Sequence, residues 1–558
     1  MSPRVDVSPP ARPHRPPASP ARFKSAYLVL AIAVLAVASG CTGVGRWYQQ
    51  GFKVGPNYGQ PPAPVSDNWI DYENPDVASA PTDYSRWWSV FGDPTLDQLI
   101  DTASQQSLTL QAAGMRILEA RARLGIARGS QFPQIQQAYG DFARINTSGR
   151  TANTVPITDF DFWDAGFNAS WELDFWGRFR RAIEAEDALL NAEIESYDNV
   201  LVVLQAEVAA AYIQYRTLQQ RLDLAKKNVK IQQRTFDIAD VRFRNGRVTE
   251  LDPVLAKENL EATRSLIPDI ESGIRQAGNA ICVLLGVPPR DLTAELGDGP
   301  IPNPPAEILA GIPAELLRRR PDVRRAERLA AAQSAVIGVA ESDLYPRIAI
   351  TGFIGFESED LTNLSDQASL AGSIGPGFQW NILNYGRIRN NVRANEAKFH
   401  QLVFDYQSTV LAASREVEDG IVSFLKERER AESFYESATQ AQRAVDLSTT
   451  RWENGGDFLA VVYTQEILTI RQDALAASRG AVAANVVSIY KALGGGWQTR
   501  MTGAGMPSEA GPFEDEPPAE DVVPPPDVDG APPADAGRPA DPAPPEVPPV
   551  PRDEPLVL

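Results

Sequence analysis

Few side chains in this sequence are equipped for catalysis. The only histidines are His14 and His400, which leaves almost nothing from which to build a histidine metal site, a triad or a general base. The only cysteines, Cys41 and Cys282, cannot form a disulfide framework, and their surroundings differ sharply. Cys282 lies in the apolar string NAICVLLG and is expected to pack in a core. Cys41 directly follows Ser39 and Gly40 at the end of an apolar run, where a thiol can be acylated. Two clusters of charge flank a pair of Asn-Gly dipeptides: Arg247, Glu250 and Asp252 beside Asn245-Gly246, and Arg451, Glu453 and Asp457 beside Asn454-Gly455. By themselves they read as solvated charges at helix turns. An enzyme is therefore not expected, and no cofactor beyond a covalent lipid on Cys41. The net charge of −19 argues against binding nucleic acid through its phosphates.

Residues 1–40 read as an export signal. Arg22 and Lys24 precede the apolar run Ala26 to Ala38, too short for a comfortable membrane span, and small residues precede Cys41. The pattern resembles a bacterial lipobox, although Ala38 stands where leucine is usual. Residue 42 is threonine, not the aspartate that typically retains such lipoproteins at the inner membrane, so the outer membrane is the expected destination. No later run reaches 18 uninterrupted apolar residues, so a crossing would have to use strands. From Met501 to Leu558, 13 acidic residues against Arg538 and Arg552, interleaved with proline, predict a disordered tail.

The elements that must carry these residues are written twice, about 210 residues apart. GIARGSQFPQI (Gly125 to Ile135) returns as GVAESDLYPRI (Gly338 to Ile348), and WELDFWGRFRR (Trp171 to Arg181) returns as WNILNYGRIRN (Trp380 to Asn390). RFRNGRVTELDPV (Arg242 to Val254) returns as RWENGGDFLAVVY (Arg451 to Tyr463). From Trp163 to Leu173 the odd positions Trp163, Ala165, Phe167, Ala169, Trp171 and Leu173 are apolar or small, and the even ones mostly polar. This period of two predicts a strand of about bilayer-spanning length. Leu370 to Ile382 alternates likewise, with Pro376 an awkward member of a paired strand. Partner strands are expected near Ile135 to Ile145 and Ile348 to Phe356, four per chain. Four strands cannot close a barrel, which needs at least about eight, so spanning strands would have to be pooled between chains.

Arg178 to Asn245 contains no glycine or proline, and would extend about 100 Å as one helix at about 1.5 Å per residue. Val208, Ala211, Tyr215, Leu218, Leu222, Ala225, Val229, Phe236, Ala239 and Phe243 trace a heptad seam along it. The matching run, Arg387 to Asn454, is broken only by Gly420. Each run ends at Asn-Gly, which stops a helix by supplying a left-handed residue, and a second helix returns, from about Glu250 to Leu285 and from about Leu459 to Leu493. The expected fold is mostly α with a small β part: a duplicated unit of helix, strand, strand, long helix, turn and returning helix. The expected organisation is a signal at 1–40, a lipidated segment at 41–85, repeats at 86–287 and 314–497, a proline-rich strap at 288–313 and a tail at 498–558.

With WWSVFGDPTLDQLI (Trp87 to Ile100), RRRPDVRRAERLAAAQ (Arg318 to Gln333), the Phe132-Pro133 and Tyr345-Pro346 turns and both Asn-Gly tips, residues 65–495 resemble the outer-membrane factor family, TolC-like and NodT-type lipoproteins. The resemblance implies a homotrimer in which twelve strands form one outer-membrane β-barrel and the helices form a long periplasmic tube. It implies a passive exit channel of a tripartite, RND-type efflux system for drugs or other small solutes, fed by an inner-membrane transporter through a periplasmic adaptor. It places the hairpin tips at the periplasmic aperture, where Asp252 matches the family aspartate of the first tip with Arg247 and Glu250 beside it, and Arg451, Glu453 and Asp457 occupy the second. The second tip departs from the family pattern, with Ala460, Tyr463 and Thr464 before Gln465. Two other readings stay open on the residues alone: a non-conducting periplasmic coiled-coil structural or adaptor lipoprotein, and a type I duct for exported proteins.

Overall fold

The computed structural model describes residues 45, 47–78, 83–148, 150 and 159–502. The expected signal, Cys41 and nearly all of the acidic tail lie outside the described residues. Helices α1 (Pro94–Gln106) and α2 (Leu108–Gly129) lead to strands β1 (Ile135–Asn146) and β2 (Asp159–Leu173), followed by α3 (Arg178–Arg244) and α4 (Leu251–Leu284). The second unit runs α5 (Pro321–Ser342), β3 (Arg347–Ser358), β4 (Leu370–Gln379), α6 (Arg387–Glu453) and α7 (Phe458–Ala492). The expected order is the observed one except that two helices, α1 and α2, precede the first strand pair, and α3 and α6 have the same length, 67 residues.

The four strands form one antiparallel sheet in the order β1-β2-β3-β4, so the two repeats meet at the β2–β3 pair. Pro376 does lie inside the ladder, opposite Ile350. Within a single chain β4 is an edge strand of this sheet, the position where a strand proline costs least. The alternation extending to Ile382 overshoots the strand, which ends at Gln379.

Below the sheet, α3 pairs with α4 and α6 with α7 as antiparallel hairpins, and α3 also packs along α5 and α7. The main core gathers Leu96, Ile100, Leu201, Val208, Tyr212, Ile213, Ile281, Val417, Phe424 and Val486. Cys282 is fully buried in this core, as its apolar context predicts. Trp87 and Trp88 anchor the N-terminal segment here, Trp87 stacking on Tyr490 of α7 at 5.7 Å. Most of the expected seam on α3 is turned inward, but Phe243 at its last turn is exposed. The proline-rich strap is not bare loop: Ile308–Leu309 pairs in parallel with Val77–Ala78, and the Trp69 indole donates to the carbonyl of Gly311 at 2.9 Å. Arg216 of α3 holds the same strap through the carbonyls of Gly297 (2.7 Å) and Leu296 (2.9 Å).

A buried ionic joint closes the chain on itself. Asp198 of α3 accepts two hydrogen bonds from Arg500, at 2.6 and 3.1 Å, and one from Arg324 of α5 at 3.3 Å. Burial pushes the Asp198 carboxyl up, and the hydrogen bond and charge of Arg500, with the charge of Arg324, only partly pull it back. Lys53 and Arg181 pair with Glu184 at the start of α3, and Arg181 also donates to the carbonyl of Val54 at 3.0 Å, so the N-terminal segment is clamped there.

Gly420 does not break α6. A β-carbon there would meet Ile489 Cγ1 of α7 at 2.8 Å, so the glycine lets the two helices approach. Gly420→Val is expected to overpack this contact by about 1–3 kcal/mol and lower the circular-dichroism melting temperature in detergent. Combined with Ile489→Ala, the loss should be smaller than the sum of the two single losses. Strict additivity would show that the close approach is not what requires the glycine.

Candidate functional site: the sheet faces and the hairpin tips

The register assigns every strand residue to one of two faces. One face carries Phe142, Trp163, Phe167, Trp171, Ile350, Ile354, Ile374 and Phe378. Among the described residues no layer covers it, and Ile374 and Phe378 are 83% and 77% exposed. The other face carries Gln137, Tyr139, Asn168, Ser170, Thr351 and Ser373, together with a row of three carboxylates, Asp141, Asp164 and Glu357, directly opposite one another on β1, β2 and β3. An open apolar face backed by a polar one is unsuited to a soluble core and suited to lipid on one side and water on the other.

At the far end of the helices the two tips are built alike. Asn245 and Asn454 cap α3 and α6, and Gly246 and Gly455 take the left-handed conformation with φ of +66° and +95°. Each tip closes with the same pair of backbone bonds. Gly246 N–H donates to Phe243 at 2.8 Å and Arg247 N–H to Arg242 at 2.9 Å; Gly455 N–H donates to Trp452 at 3.0 Å and Gly456 N–H to Arg451 at 2.9 Å. These bonds absorb carbonyls that the helix end leaves unpaired.

The charges around the tips are scattered rather than gathered. Arg247, Glu250, Arg451 and Glu453 are exposed, and no ion pair joins them among the described residues. Asp457 caps α7 by accepting from Leu459 N–H at 3.1 Å, and Asp252 sits in the first turn of α4 with the Thr249 hydroxyl 3.4 Å away. Tyr463, where the second tip lacks its acid, is 62% exposed. What joins the tips is a small apolar cluster of Ala239, Ala256, Trp452, Phe458, Val461 and Val462. Arg242 of α3 lies over the Trp452 ring at 4.2 Å and donates to the Trp452 carbonyl at 3.3 Å.

Above the tips, α3 faces α7 through polar side chains. Arg221 forms a two-pronged pair with Asp473 at 2.6 and 3.0 Å. Asn228 reaches Gln472 at 3.0 Å, Gln232 reaches Thr469 at 3.4 Å, and Gln465 donates to Thr235 at 2.8 Å.

The sequence pattern of the outer membrane efflux protein family matches residues 99–287 and 312–495. The chain belongs to this family. It is 30% identical over 440 residues to nodulation protein T of Rhizobium leguminosarum bv. trifolii, covering 76% of this chain and 90% of that one. It is equally 30% identical to the pyoverdine export outer membrane protein OpmQ of Pseudomonas aeruginosa, again over 76% and 90%. Among solved structures, the outer-membrane channel OprN superposes with a TM-score of 0.74 at 31% identity, covering 80% of this chain and 99% of that one. This outer membrane efflux protein is thus an outer-membrane exit channel, of a family of channels rather than enzymes.

In this efflux protein the Asn-Gly turns are where sequence placed them. The Arg242–Trp452 contact and the carboxylate row were not foreseen, since both depend on which helix or strand lies opposite. Arg242→Ala should speed amide hydrogen exchange across residues 451–462 and cost the tip about 1 kcal/mol. Arg242→Lys should recover only part, because an ammonium lacks the flat guanidinium that lies on the ring. Unchanged exchange in Arg242→Ala would remove the latch role.

Proposed function

We propose that three copies of this chain close a twelve-stranded barrel in the outer membrane and continue it as a helical tube into the periplasm. The tube is a passive exit duct for small solutes, fed by an inner-membrane efflux transporter through a periplasmic adaptor. The two-faced sheet with free edges at β1 and β4 carries this reading. In lipid those edges would leave backbone N–H and C=O groups without partners, which only further strands can supply. With the apolar face outward, Asp141, Asp164 and Glu357 line the lumen, and three-fold repetition gives a ring that favours cations. An acylated Cys41 would tether each copy to the periplasmic leaflet. The soluble-spacer reading loses support from the uncovered apolar face.

Substrate choice resides in the inner-membrane transporter. Relatives at similar identity carry names as different as nodulation protein T, pyoverdine export outer membrane protein and cation efflux system protein, so likeness to this chain does not go with one solute.

Native mass spectrometry of detergent-extracted outer membranes should report a lipidated trimer, and the same material should open cation-selective conductances in planar bilayers. An acylated monomer without conductance would overturn the duct. Asp252, in the first turn of α4, is assigned to the periplasmic aperture, where its three copies would repel one another and attract cations. Asp252→Asn should weaken block by divalent cations from the periplasmic side or raise the closed-state conductance. Identical traces across several divalent ions would remove Asp252 from the aperture.

A further inference from the structure

The boundary between the sheet and the helices is marked by aromatic residues that recur in both repeats. Within each repeat the strand entering the sheet is tied to the strand leaving it in the same way. The Trp171 indole donates to the Gln131 carbonyl at 3.0 Å, and the Trp380 indole donates to the Leu344 carbonyl at 3.0 Å. A second contact joins one repeat to the other. Trp176, just after β2, stacks on Tyr345, just before β3, with ring centres 4.5 Å apart and planes 23° from parallel. Its indole donates to the Pro346 carbonyl at 2.8 Å.

By sequence equivalence Trp176-Gly177 corresponds to Tyr385-Gly386, and Tyr345-Pro346 to Phe132-Pro133. The corner glycines agree in conformation, with φ of +82° at Gly177 and +83° at Gly386. Yet this second pair is not made within the chain. Tyr385 is 97% exposed and Phe132 66% exposed. They belong to opposite edges of the sheet, Tyr385 following β4 and Phe132 preceding β1. Tyr385 at φ +50° and Gly386 at +83° are the two central residues of a tight turn closed by the Arg387 N–H on the Asn384 carbonyl at 2.9 Å, and this turn holds the Tyr385 ring out at the sheet edge. Among the described residues no ring stacks on it. In the assembled duct, β4 of one copy lies beside β1 of the next, as β2 lies beside β3 within a copy.

We propose that Tyr385 is an intersubunit contact: its ring stacks on Phe132 of the next copy, and its hydroxyl donates to the Pro133 carbonyl of that copy. Three Trp176–Tyr345 pairs within chains and three Tyr385–Phe132 pairs between them then make a belt of six aromatic joints where the barrel meets the tube. The proposal rests on the trimeric reading above.

The test is a pair of cysteines, Phe132→Cys with Tyr385→Cys, in the full-length lipoprotein. Buried Cys282 is left in place, and each single variant serves as control. A short bifunctional methanethiosulfonate should give covalent dimers and trimers on a non-reducing denaturing gel, and reductant should collapse them. Neither single variant should give this ladder. The pair Trp176→Cys with Tyr345→Cys should react within one chain and stay at monomer mass. Native mass spectrometry on the same samples separates the two ways of failing. A trimer whose 132/385 variant stays monomeric on the gel, while the 176/345 pair reacts, overturns the contact alone. A monomer by native mass overturns the contact and the trimer together. Tyr385→Phe should retain SDS-resistant trimers better than Tyr385→Ala, since it keeps the stacking face; equal retention of trimers by both would also overturn the stacking.

Discussion

A sheet in lipid cannot have an edge. Every backbone N–H and C=O that faces hydrocarbon without a partner costs several kcal/mol, and no water is there to substitute. This chain ends its sheet with β1 on one side and β4 on the other, strands of 12 and 10 residues. Their outer rows of hydrogen-bonding groups must be met by another copy. The duplication in the sequence makes that possible at little cost in new information. Since β2 already meets β3 across the boundary between repeats, the same kind of junction can be reused between chains.

The helical part inherits the geometry that the sheet imposes. Each strand pair feeds a helix through a left-handed glycine corner, Gly177 or Gly386, and both helices run 67 residues before the same kind of turn. Equal lengths bring both tips to one level, where Arg242 can lie over Trp452. A single inserted turn in one helix would displace its tip by about 5.4 Å and part that contact. The lack of insertion between Trp171 and Gly246, relative to Trp380 and Gly455, is therefore a mechanical requirement of a tube with an even end.

Local periodicity could be read directly from the residues because it is set by one element at a time. The alternation at Trp163 to Leu173, the uninterrupted run after Arg178 and the Asn-Gly stops each needed only their own segment. What could not be read needed two segments at once. Asp141, Asp164 and Glu357 are far apart in the chain and become a row only through the β1–β2 and β2–β3 registers. Gly420 stood out only as the one glycine in its run, and the reason for it, Ile489 Cγ1 of α7 lying 2.8 Å from where a β-carbon would be, depends on a second helix. The charges beside the tips are a different case. Arg247, Glu250, Arg451 and Glu453 are exposed and unpaired among the described residues, so within one chain nothing distinguishes them from solvated charges. A role at an aperture would require their repetition in the proposed trimer.

The polar contacts along the tube are not equivalent, and their chemistry changes with depth. Near the middle of the molecule, Asp198, Arg324 and Arg500 bury full charges, and Arg320 bonds to Asp322, Glu416 and the Ala492 carbonyl. Such pairs add little net stability, because desolvation offsets the attraction, but removing one partner strands a buried charge and costs about 3–5 kcal/mol. They resist sliding in a way that a non-directional apolar seam does not. Further toward the tips the contacts between α3 and α7 become neutral: Asn228 with Gln472, Gln232 with Thr469, Thr235 with Gln465. Each such bond is worth about 0.5–1.5 kcal/mol net, and water can replace it when the helices separate. The wall is therefore pinned where the N-terminal segment, the strap and the C-terminal turn converge. It becomes progressively easier to part toward the tips, where one cation–π latch and a six-residue apolar cluster are what hold the two hairpins together.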